Sequence, residues 1–184
     1  MSNNYNTPVS VECLIDKKAY MDFSKFHRFY VRRASGNLIL FPVMLIAFAI
    51  FNWYLGNNGL GWILLSISIF IPIWSLGAFY TTVNKQVKIF QLDNPRVFYS
   101  ITFHEEGIHV NNQKEQVDYK WKQVYKIYRT RNGIYLYLTP FNAFIIPMDS
   151  IKNHELDKLW VLFQKHVAGK RLKIIGRRAY DEIR

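Results

Sequence analysis

The chain has 184 residues, 24 Lys and Arg against 13 Asp and Glu, and a formal net charge of +11, a balance that attracts polyanions, either nucleic acid or anionic lipid. Its single cysteine, Cys13, excludes an internal disulfide and any metal site built on cysteine pairs. Residues 34–84 contain no Lys, Arg, Asp or Glu, and this segregation selects lipid over nucleic acid as the expected partner.

In chain order, residues 1–33 come first. The alternating VSVECLI reads as a strand, and DKKAYMDFSKFHRFYVRR as a helix that Asp16 can cap. Tyr20, Phe23, Phe26 and Tyr30 recur at helical spacing, with Lys17, Lys18, Lys25, Arg28 and Arg32 on other faces. Such a helix can lie on an anionic leaflet, or its aromatic stripe can pack on the C-terminal domain.

Residues 34–84 hold two apolar runs, about 37–55 and 60–80, each close to the ~20 residues that cross a bilayer core. Eleven Leu, Ile, Phe and Val in the first favour its insertion by roughly 3–7 kcal/mol. The linking Gly56-Asn57-Asn58-Gly59 is a tight turn, so a hairpin is expected, with both chain ends on one side. Lys25, Arg28, Arg32 and Arg33 precede it and Lys85 and Lys88 follow, while the turn is uncharged, which predicts a multi-pass protein of the plasma membrane with both termini cytoplasmic. Trp53, Tyr54 and Trp62 at the turn and Tyr80 at the other end are expected as interfacial anchors. Pro72 predicts a kink, and with no ionisable residue inside either run, no ion path is expected. Small residues (Gly61, Ser66, Ser68, Ser75, Gly77) would let another helix approach, from a second copy or another membrane protein.

Residues 85–169 switch to period two. VFYSITF, GIHV, QVDYKW, GIYLYL and AFIIP give five or six antiparallel strands. Val97, Tyr99, Ile101 and Phe103 share one face, as do Val117, Tyr119 and Trp121. After the hairpin signal Asn132-Gly133, Ile134, Leu136 and Leu138 should point inward and Tyr135 and Tyr137 outward. A helix follows in NHELDKLWVLFQKHVAG, with Leu156, Leu159, Trp160, Phe163 and Val167 on one face, Asp149, Ser150 or Asn153 as its cap and Gly169 as its stop. Residues 170–184 form a basic tail.

This order of parts resembles the bacterial YcxB-like proteins, whose soluble part is similar to pleckstrin-homology domains. The resemblance rests on YSITFHEEGIHV, on Trp121 with Val124 and Ile127, on the Asn-Gly hairpin and on Ile145-Ile146-Pro147. It implies an α+β membrane protein: a two-helix transmembrane hairpin plus an antiparallel, pleckstrin-homology-like small barrel closed by a C-terminal helix. That frame needs about seven strands, the missing one supplied by Val9–Ile15 or by residues 88–92. The resemblance brings no catalytic residues and no cofactor.

The residues themselves offer little chemistry. His104, Glu105 and His109 are spaced five apart across a glycine turn, whereas a zinc-protease helix needs its histidines four apart, so no metal site is expected. The chain also lacks a phosphate-binding glycine loop and a nucleophile elbow. A membrane-surface role falls instead to Lys170, Arg171, Lys173, Arg177 and Arg178 in the tail, with Lys25, Arg28, Arg32 and Arg33 before the hairpin. The expected function is a non-enzymatic, membrane-anchored adaptor binding anionic headgroups, in a setting such as envelope stress or resistance to membrane-active peptides. The alternative is a lipid-modifying enzyme, or its accessory, using His104, Glu105 and His109.

Overall fold

The alternation in VSVECLI becomes strand β1 (Val9–Ile15), in a computed structural model that describes residues 8–32, 34–112 and 115–176. The chain divides into two units: Met1–Phe23 with Leu92–Arg184, and Ser24–Gln91.

Among the described residues the first unit carries eight strands. Besides β1 these are β2 (Arg96–Phe103), β3 (Ile108–Asn112), β4 (Glu115–Tyr119), β5 (Lys126–Arg129), β6 (Gly133–Tyr137), β7 (Ala143–Pro147) and β8 (Leu172–Ile174). They form two four-stranded sheets, ordered β1-β2-β3-β4 and β7-β6-β5-β8, rather than one closed barrel. All pairings are antiparallel except β5 with β8. Of the two candidates for the missing strand, Val9–Ile15 supplies it, whereas residues 88–89 end a helix and 90–92 are a turn.

Helix α4 (Asn153–His166) buries Leu159, Trp160, Leu162 and Phe163 in a core shared with Val11, Cys13, Ile101, Phe103, Trp121, Ile127 and Leu136. This is the apolar face that its helical period promised. Its start differs from expectation, since Lys152 holds the N-cap position with no side-chain cap. The Ser150 hydroxyl instead accepts the Leu14 N–H, 3.3 Å away, which ties it to β1.

The outward assignment of Tyr135 and Tyr137 is overturned, because every residue of β6 is buried. Helix α1 (Lys17–Phe26) provides the cover: Phe23 meets Tyr135 edge-on at 5.2 Å and lies 6.3 Å from Tyr137. The Asp16 cap is present, accepting the Ala19 N–H at 2.7 Å. Val117, expected inward, is half exposed on the edge strand β4. Edge strand β7 is closed off by the Tyr99 hydroxyl, which accepts the Ile145 N–H at 2.8 Å and donates to the Ile145 carbonyl at 3.0 Å.

The second unit is helical. A π-helical turn, His27–Val31, is followed by α2 (Ala34–Tyr54) and α3 (Asn58–Ile89), which pack together as a hairpin. Helix α3 is long and apolar enough to cross a membrane, while the apolar part of α2, Leu38–Tyr54, is shorter. Their large side chains point away from the hairpin: Phe41, Phe48, Phe51, Phe70, Ile73 and Trp74 are all at least half exposed. The core helix of a water-soluble protein would bury these groups. Pro72 lies inside α3, which runs nine residues past the expected end at Tyr80, because the sequence from 81 to 89 holds no Gly or Pro. It stops where Gln91 takes the left-handed conformation (φ 53°), with its N–H donating to the Lys88 carbonyl at 3.1 Å.

Candidate functional site

In the helical unit the basic residues before the hairpin are not equivalent. The π-helical turn carries Arg28 into the apolar packing, where Nη2 donates to Ser75 Oγ at 2.8 Å and to the Ser75 carbonyl at 3.4 Å. The guanidinium lies 4.9 Å from the Phe79 ring centre and 5.9 Å from that of Phe29. Its Nε is buried with no hydrogen-bond acceptor among the described residues. Two apolar hollows of about 410 and 480 Å3 open beside it, both also lined by Ile71 and Ser75. Ser75 lies within the second apolar run, so a charged group reaches that run although the run itself contains none. It arrives from a residue 47 positions earlier in the chain. Lys25 stays peripheral, with Nζ 5.8 Å from the Tyr80 ring centre, and Arg32 is exposed at the end of the π-helical turn. Arg33 lies outside the described residues.

Of the expected anchors, Trp53 and Trp62 meet edge-on at 5.2 Å, and Trp53 covers Gly61 so closely that any side chain there would overlap the indole. Tyr54 is 88% exposed, and Trp62 and Tyr80 are exposed as well. Among the small residues, Gly61 and Ser68 are buried inside the unit and Ser75 receives Arg28, leaving Ser66 and Gly77 on the outside.

In the sheet unit, His104, Glu105 and His109 line one open cleft of about 790 Å3 together with Asp118 and Lys120. The cleft rests on Trp121, whose indole N–H lies 3.1 Å from the carbonyls of both His104 and Glu105 and whose ring stacks on His166 at 5.1 Å. Within it the three residues serve separate contacts. Glu105 accepts from Lys165 at 2.8 Å and pairs with His166 at 2.7 Å, and these two hydrogen bonds hold its carboxyl below the ordinary glutamate range. His109 pairs across the strands with Asp118 at 2.6 Å, and the His104 side chain is exposed. Among the described residues, no group of three His, Cys, Asp or Glu is placed to hold a metal.

The tail residues fall on ordered backbone as far as the description reaches. Lys170 and Arg171 lie in a single turn of 3-10 helix, Gly169–Arg171, and Lys173 in β8; all three are exposed. Arg171 Nη1 also donates to the Val124 carbonyl at 3.2 Å. The alternation of half-buried Leu172 and Ile174 around Lys173 was the available signal for this strand. Arg177 and Arg178 lie outside the described residues.

No curated protein and no solved structure matches the chain. The family model of the YcxB-like protein matches residues 103–164, which run from the end of β2 through most of α4 and include the Trp121 platform and the Asn-Gly hairpin. Over that segment of its sheet unit the chain is similar to the YcxB-like family, the one that its strand and turn pattern resembles.

Proposed function

We propose that the protein is a membrane-anchored binding module: α2 and α3 form a two-span hairpin, and the sheet unit is a pleckstrin-homology-like domain held at the cytoplasmic leaflet to engage anionic headgroups or a protein partner there. The observation that carries this reading is the outward display of Phe41, Phe48, Phe51, Phe70, Ile73 and Trp74 on helices without a single charge between residues 34 and 84. Such surface is stable in lipid and costly in water. The charges flanking the apolar runs support the topology, with Lys25, Arg28, Arg32, Lys85 and Lys88 on one side of an uncharged turn. Exposed Lys170, Arg171 and Lys173 add attraction to an acidic surface, at about 1 kcal/mol for each residue that engages it.

The test uses the full chain reconstituted in vesicles of neutral or graded anionic lipid. Trypsin cleavage after Lys170, Arg171 and Lys173 is expected to slow as anionic lipid rises and to recover at high salt. Replacing Arg177 and Arg178 by Gln, which leaves those three cleavage sites intact, should weaken the protection. Cleavage rates indifferent to lipid charge would remove the tail from the mechanism, and loss of the protein from membranes on alkaline extraction would remove the hairpin reading altogether.

A further inference from the structure

Residues 24–91 contain six basic residues (Lys25, Arg28, Arg32, Arg33, Lys85 and Lys88) and no Asp or Glu, so the helical unit cannot balance any of its charges internally. For exposed lysines this costs little, because water and salt screen them. Arg28 is different. Among the described residues its Nε is buried without an acceptor, and its hydrogen bonds go to one neutral serine. Ser75 is five residues before Tyr80, about 7.5 Å further along the helix, so the guanidinium sits at the depth of the apolar run. A cation at such a depth is expensive unless an anion accompanies it.

The surroundings suit one kind of anion. Arg28, Ser75 and Ile71 separate two hollows, one walled by Phe70, Trp74 and Phe79 and the other by Leu38, Phe41 and Met44. Each is within the size range of a small-molecule pocket, and each combines a single charged group with apolar walls. A free inorganic anion would gain nothing from those walls. An anion carrying hydrocarbon would bury its chain against them while its oxygens met the guanidinium fork, the geometry arginine offers to phosphate. The π-helical turn that presents Arg28 is itself a rare backbone form, found most often at functional sites.

We infer that Arg28 and Ser75 form the head of a binding site for one acidic phospholipid, whose phosphate pairs with the guanidinium and whose acyl chain lies in the flanking apolar hollows. This site rests on the reading of the hairpin as membrane-embedded, and it deepens that reading by distinguishing a specific lipid from diffuse attraction to the leaflet.

The test is native mass spectrometry of the full chain in detergent, titrated with phosphatidylglycerol and, separately, with phosphatidylcholine. The wild type should bind one phosphatidylglycerol in preference to phosphatidylcholine. R28Q should lose this preference by roughly tenfold, the scale of one charge-assisted contact. R28K should keep part of it, and K88Q, which removes an equal charge elsewhere on the hairpin, should keep all of it. Because R28Q removes a buried contact and can misfold, I71W provides a second probe: it retains the charge, fills the hollows and should also lose lipid. Equal binding by wild type, R28Q and I71W would overturn the site, as would displacement of the lipid by excess inorganic phosphate alone. Alkaline extraction of the same variants keeps the two readings apart: a protein that stays in the membrane but shows no lipid preference disproves the site and leaves the hairpin intact.

Discussion

Burial changes the chemistry of Cys13 and Tyr99. Cys13 is fully buried on the inner face of β1, and desolvation pushes its thiol up to about 12. A thiol must ionise to react, so native Cys13 should resist iodoacetamide at neutral pH and become alkylated only in denaturant, which intact-mass measurement would reveal. Tyr99 is held by the Ile145 N–H and carbonyl, and burial raises its phenol well above the ordinary tyrosine range. Tyr99→Phe would leave both backbone groups without this partner. It should cost about 1–3 kcal/mol, read as a lower Tm of the full chain in detergent.

Two elements depend on local features that can be tested singly. Helix α3 ends on Gln91 in the left-handed region, where a side chain is strained and glycine is not. Gln91→Gly should therefore be neutral or stabilising by up to about 1 kcal/mol in equilibrium denaturation, an unusual outcome for a glycine placed beside a helix. The turn after β2 is joined to the end of α4 by Glu105 with Lys165 and His166. Since Glu105 has a lowered folded-state pKa, its contribution is present above the unfolded glutamate value and disappears as pH falls through the lower folded one. Glu105→Gln should accordingly lower Tm at neutral pH and flatten the fall of Tm on the acid side of the curve, where the wild type loses the same contribution.

For the whole molecule, the consequential contact is the long-range one between β1 and the remainder of the sheet unit. β1 pairs with β2 from Val9↔Phe103 to Ile15↔Arg96 and contributes Val9, Val11 and Cys13 to the shared core. A fragment starting at Lys85 keeps the segment matched by the family model but omits this strand. It should lack the near-ultraviolet circular dichroism signal of a packed core, which the full chain in detergent should show.

Periodicity and charge in the sequence determined which segments became strands, the hairpin and α4, because side-chain alternation and capping are properties of neighbours in the chain. The turn at Asn132-Gly133, the Asp16 cap and the apolar face of α4 were legible for that reason. Periodicity left the aromatic stripe of α1 either on a leaflet or on the C-terminal domain, and only the tertiary structure set Phe23 of that stripe over Tyr135 and Tyr137. The pairing of β8 with β5 and the separation of eight strands into two sheets are likewise long-range choices, made by packing rather than local propensity. The same holds for the candidate site. Arg28 reads in the sequence as one of several basic residues before a membrane span, and only the fold, by bringing it to Ser75, turns it into a desolvated charge in need of a counter-ion.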